Sequence, residues 1–268
     1  MLTFKTVCVD EWELDKLDQV VDWFDEDIYN ALKEKNIPET EDYPNIVLRI
    51  AGRAIVILRE MICLSAHGYP DGILSLARTL YEHFITISFF EEYKAEPDFI
   101  QRITNYYKDY QVQRCKALRY EAENCSHDSI KAERLLAELT ALRANDKSVG
   151  KEYWWTGIGG GFEGTVTWLK KRVDEEHRNL INKLHFAYKR ACVSVHSNCM
   201  GNMIRLGEDP NDSRINTSPS IDGHQLPLWF GVMSFILIVG IVCRLLELDR
   251  NKYLAPLNEL AIFYQNGN

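Results

Sequence analysis

The chain predicts an all-α, multi-helix up-and-down bundle. Three observations carry that reading. Apolar residues recur at three- and four-residue spacing along almost the whole sequence, no segment alternates apolar and polar residues in the manner of a half-buried strand, and Pro, Gly and Asp punctuate the periodic stretches. With 268 residues, 46% of them hydrophobic, the chain is long enough to bury a core without disulfides.

The first helix carries Trp12, Val20, Trp23, Phe24 and Ile28 and ends near Asn36 and Pro38. A second runs from about Pro44 to His67, with Val47, Ile50, Ala54, Ile57, Met61 and Leu64 on one face and Gly68 as its C-cap. Asp71 caps a third helix, which reaches about Tyr93 with Ile73, Ala77, Leu80, Phe84 and Ile87 facing inward. Pro97 opens a fourth, to about Glu123, and a fifth spans about Asp128 to Asn145 with Leu135, Leu136, Leu139 and Leu142. After a loop rich in Gly and Trp, a sixth helix covers Thr165 to about Glu176 and a seventh about Arg178 to Leu206. A polar loop, Gly207 to Gly223, precedes a last apolar helix, and a short terminal helix is expected after Pro256. The expected division is an acidic N-terminal helix (1–43), a helical core (44–206), the polar loop (207–225) and a C-terminal apolar region packed on the core (226–268).

Leu226 to Cys243 holds no charged residue and is nearly long enough to span a bilayer. Pro227, Gly231, Ser234 and Gly240 dilute it and no second span accompanies it, which favours a core helix surrounded by others over a membrane anchor. The seven cysteines form no Cys-x-x-Cys and sit mostly in apolar helical stretches, the pattern of reduced thiols, and the acidic N-terminus lacks a secretory apolar region. A cytoplasmic protein without membrane association is therefore expected.

The net charge of −8 is unevenly placed: residues 1–45 hold 13 acidic and 4 basic side chains. The nearly neutral remainder argues against broad nonspecific duplex binding and permits a local basic groove. Residues 101–120 supply one, with five basic side chains, one acid and four tyrosines; Arg114 and Lys116 are its candidate RNA contacts. The acidic first helix could occupy that groove.

Arg78-Thr-Leu-Tyr-Glu-His83 lies inside the third helix. A helix turns about 100° per residue, so Arg78 and Glu82 project within about 40° of each other while Arg78 and His83 diverge by about 140°. The local reading is an i,i+4 ion pair with His83 at the core edge; the functional reading sets Arg78, Glu82, His83, Tyr188 and His196 in one polar cleft around a phosphodiester, so that the third and seventh helices touch. Tyr188, Cys192 and His196 recur at four-residue spacing along the seventh helix. Cys192, His196 and Cys199 are zinc-ligand types, but three groups on one helix need a fourth donor that nothing marks, so no metal is expected. Gly159, Gly161 and Gly164 have dinucleotide-fingerprint spacing without a preceding strand, so no cofactor is expected either. Trp155, in the same loop, either seals a core edge or offers a base-stacking face.

Three segments resemble a bacterial family known as domain of unknown function 5677, across roughly residues 45–205: Ser75-Leu-Ala-Arg-Thr-Leu-Tyr-Glu82, Trp155 with the glycine loop and Leu169, and Tyr188-Lys-Arg-Ala-Cys-Val-Ser-Val-His196. That family's pattern in the last segment is Tyr-x3-Ser-x3-His, and Cys192 stands here at the serine position. More loosely, Arg78-x4-His83 in a helical domain is similar to the motif of the HEPN superfamily, the higher eukaryote and prokaryote nucleotide-binding helical proteins. That resemblance implies a HEPN-like architecture and a homodimeric, metal-independent endoribonuclease acting as a toxin or in phage defence. It also implies His83 as proton donor or acceptor at the ribose 2′-hydroxyl and Arg78 as stabiliser of phosphorane charge. The alternatives are a non-catalytic helical module binding a nucleotide, nucleic acid or partner protein, with Tyr188 in its cleft, and a membrane-associated helical protein.

Overall fold

The structure, a computed structural model, describes residues 11–35, 42–144, 148–195 and 224–266. Among them are nine α-helices and no strand: α1 (Glu11–Lys35), α2 (Tyr43–Ala66), α3 (Pro70–Tyr93), α4 (Phe99–Asn124), α5 (Ser129–Arg143), α6 (Gly161–Lys170), α7 (Glu175–Val195), α8 (Gln225–Leu246) and α9 (Arg250–Asn266). The all-α class read from periodicity is the class observed. The chain divides into two compact units, the first drawn from Met1–Pro38, Val47–Ile87 and Glu175–Asn268, the second from Glu39–Ile46 and Ser88–Asp174.

In the first unit α8 is the central rod. Phe230, Val232, Phe235, Ile238, Val239 and Val242 are fully buried, because apolar residues on every side of a helix require neighbours on every side. Phe24 of α1 packs edge-on to Phe235 at 5.7 Å and to Tyr253 of α9 at 5.2 Å, and Phe230 lies 5.7 Å from Tyr81 of α3. The C-terminal end of α2 is joined to the entrance of α8 by a buried hydrogen bond between Ser65 Oγ and His224 Nδ1, 3.2 Å long. Three acids of α1 are met within this unit: Asp22 and Asp25 by Arg59, and Asp27 by Lys252 and Tyr253.

In the second unit α5 packs antiparallel on α4 through Leu135, Leu139, Val112 and Cys115. Asp128 caps α5 by accepting from the Lys131 backbone N–H at 2.9 Å. Phe89, Phe90, Tyr106, Trp155 and Trp168 form an aromatic cluster, with Trp155 stacked on Phe90 at 5.2 Å. Gly157 follows the 3-10 turn Trp154–Thr156 at φ +70°, and the Arg102 guanidinium lies where a side chain would be, so only glycine fits.

The bounds of α6, α7 and α9 differ from the sequence expectation. α6 starts at Gly161 and stops at Lys170, where the N–H groups of Lys171 and Arg172 turn back to Trp168 and Leu169, so Glu175 and Glu176 open α7. Acidic side chains suit the positive end of a helix, which explains why they begin one. α9 starts at Arg250 and contains Pro256, although proline removes an N–H from the ladder. The predicted course of the seventh helix beyond Val195 and the polar loop lie outside the described residues.

Candidate functional site between α3 and α7

Arg78 and Glu82 sit one turn apart on α3, and Arg78 Nε donates to Glu82 Oε1 at 3.1 Å. Tyr188 of α7 donates its hydroxyl to the same carboxylate oxygen at 3.2 Å, and the Arg78 guanidinium carbon is 5.5 Å from the Tyr188 ring centroid. One carboxylate thus ties the two helices together, with a cation–π contact beside it. The two charged side chains are 24% and 31% exposed, so the cluster is half-buried and within reach of solvent.

Burial works against the charge of Arg78, but Glu82, Cys192 and Tyr188 together outweigh it and hold the guanidinium protonated more firmly than usual. Burial, with the Glu82 carboxylate second, pushes the Tyr188 phenol well above its ordinary value. At neutral pH the guanidinium therefore stays charged and the phenol stays neutral and donates. Cys192 follows Tyr188 one turn later on α7.

Two residues belong to this cluster without having been singled out from the sequence. Tyr81 shares a 3.4 Å hydrogen bond with His185 Nδ1, and the His185 ring stacks on Tyr188 at 5.6 Å with a 14° interplanar angle. The signal was there: His185, Tyr188 and Cys192 follow the three–four spacing of one helix face.

The remaining candidates fall elsewhere. His83 is turned from the Arg78 cluster toward Arg53 of α2; its Nε2 is sealed from solvent without a hydrogen-bond partner. Burial first, and Arg53 second, depress its pKa to about 4, so it is a neutral core-edge imidazole. The 140° divergence along the helix is the reason, and the joint Arg78–His83 action implied by the HEPN motif finds no support in their placement. Trp155 is 4% exposed and held among Phe89, Phe90 and Tyr106, so it packs a core and offers no open stacking face. His196 and Cys199 lie outside the described residues.

The basic helix α4 spends most of its charge on its own unit. Arg102 pairs with Asp98, Lys108 lies over Trp154, Lys116 donates to the Gly150 carbonyl at 2.7 Å, and Arg119 pairs with Glu123. Arg114 is exposed. Among the described residues no group of three His, Cys, Asp or Glu side chains is placed to hold a metal ion.

No curated protein and no solved structure matches the chain. One family model does, over residues 45–214, a span that includes α2 through α7 and both halves of the Arg78–Glu82–Tyr188 cluster; its description is "Family of unknown function (DUF5677)". With well over half of its length inside that match, the chain belongs to the DUF5677 family.

Proposed function

We propose that the chain is a helical module that binds RNA, gripping a backbone phosphate at the α3–α7 cluster. The state of Arg78 carries this reading. Its bond to Glu82 uses Nε and the Tyr188 hydroxyl adds a hydrogen bond, so the guanidinium is oriented by a carboxylate, a phenol and an aromatic face while further N–H donors remain to it. A planar, pre-oriented fork of N–H donors suits a phosphate oxygen pair, and little side-chain entropy remains to be lost on binding. Glu82 offsets the charge of Arg78, so the grip rests on hydrogen-bond geometry more than on net charge.

A second reading is metal-independent RNA cleavage by a toxin-like effector of phage defence, working as a cytoplasmic homodimer. It is favoured by one observation: Tyr188 of α7 meets Arg78, and His196 stands two four-residue steps further along the sequence. In this reading His196, and not the sealed His83, exchanges protons with the ribose 2′-hydroxyl.

Both readings are tested with full-length protein and a fluorescently labelled single-stranded RNA in EDTA, following anisotropy and strand length together. Arg78→Ala is expected to weaken binding about tenfold, the worth of one charge-assisted hydrogen bond, while His83→Ala leaves it unchanged. Absence of RNA binding, or binding indifferent to Arg78→Ala in a folded variant, overturns the proposal. Cleavage that survives His83→Ala and is lost in His196→Ala establishes the second reading.

A further inference from the structure

On the same helix as Tyr188, a cavity of about 610 Å³ opens between α7, the start of α8 and the end of α9. Its walls are apolar and aromatic: Phe186, Trp229 and the ring of Tyr264, with Ala187 and Leu226 between them. Its polar groups are three carboxamides, Asn182, Gln225 and Gln265, and one ammonium, Lys183. Phe186 is 66% exposed, so its ring is open to a ligand entering the cavity.

The donor set narrows the ligand. Aromatic walls accept a flat ring by stacking, and a carboxamide both donates and accepts, which matches the mixed edge of a nitrogen heterocycle. The volume falls within the usual range of about 300–1,000 Å³ for small-ligand sites. Arg178, Lys183, Lys189 and Arg190 of α7 are basic against Glu175 and Glu176 at its start, so the helix carries a net positive charge that suits an anion.

We infer that this cavity takes one nucleotide, its base between Phe186 and Trp229 and its phosphate at Lys183. The inference deepens the RNA reading above and rests on it: the cavity and Tyr188 share α7, with Ala187 in the cavity wall and Tyr188 next to it in the chain. The α3–α7 cluster grips backbone, and the cavity accepts a base turned out of the strand.

The test is calorimetric titration of the full-length protein with AMP, adenosine and ribose 5-phosphate. AMP is expected to bind, with ribose 5-phosphate about tenfold weaker because it lacks the stacking ring. Phe186→Ala should weaken AMP about tenfold; Lys183→Ala should weaken AMP and leave adenosine unchanged. Both side chains are exposed, so neither variant endangers the fold. No binding of AMP, ribose 5-phosphate binding as well as AMP, or AMP binding indifferent to both variants overturns the inference. So does self-association that Phe186→Ala abolishes and AMP does not affect, which assigns the face to a second copy. Arg78→Ala separates the two claims, since it should impair RNA binding and spare AMP. RNA binding that still requires Arg78 in a protein blind to AMP removes the cavity's role and leaves the cluster's intact; AMP binding without RNA binding removes the reading on which the inference rests.

Discussion

A neutral imidazole sealed beside α2 makes His83 a source of acid sensitivity. Its pKa falls from 6.5 to about 4 on folding. Above the unfolded value neither state carries the proton, and the group adds no pH dependence. Below it the unfolded chain gains the proton and the folded chain does not, so stability drops as pH falls, by about 3 kcal/mol once pH reaches the folded value. His83→Leu is expected to flatten the urea-midpoint curve across that window, and an unchanged slope in the variant would place the sensitivity elsewhere. The placement of His83 was legible in the sequence, because a five-residue step on a helix points away from its start; the Arg78–Glu82 pair was legible for the complementary reason. Tyr188 as the partner of Glu82 was not. That hydrogen bond spans 106 positions in the chain, and periodicity states which face a residue occupies, not which helix lies opposite.

Among the elements, α6 shows what the glycine loop does. Glycine spacing resembling a dinucleotide fingerprint has a packing cause: a Cβ on Gly164 would overlap the Gly159 carbonyl oxygen, which is backbone and cannot rotate away. A Cβ on Gly159 itself would meet nothing within 4 Å. Gly164→Ala is therefore expected to lower stability by about 1–3 kcal/mol, as overpacking does, with Gly159→Ala costing distinctly less. Thermal melts of the two single variants decide the matter, and equal losses would remove this account of the loop. The boundaries of α6 and α9 escaped the sequence for related reasons. Gly161 opens α6 at φ +61° and Pro256 lies within α9, and residues of both types ordinarily mark helix ends.

At the scale of the whole molecule, α8 decides between a core and a bilayer. Its mean hydropathy of 2.4 over an 18-residue window would suit either, and 72% of that window is already buried against protein. Little surface is left for lipid. Recovery of the protein from lysed cells without detergent is the expected outcome, together with a loss of about 3–5 kcal/mol in Phe235→Ala; a requirement for detergent would overturn the core reading. The sequence told that α8 was apolar all round but not which helices surround it, and the interleaving of two units has no local signature at all. That interleaving bears on how the protein is made. Helices α1 to α3 leave the ribosome well before their partners α8 and α9 have been translated, so the apolar faces of Val47–Ile87 stay uncovered through much of synthesis. A nascent chain stalled before Gln225 is thus a natural client for a holding chaperone, and fusing or truncating the C-terminus would be felt first as aggregation.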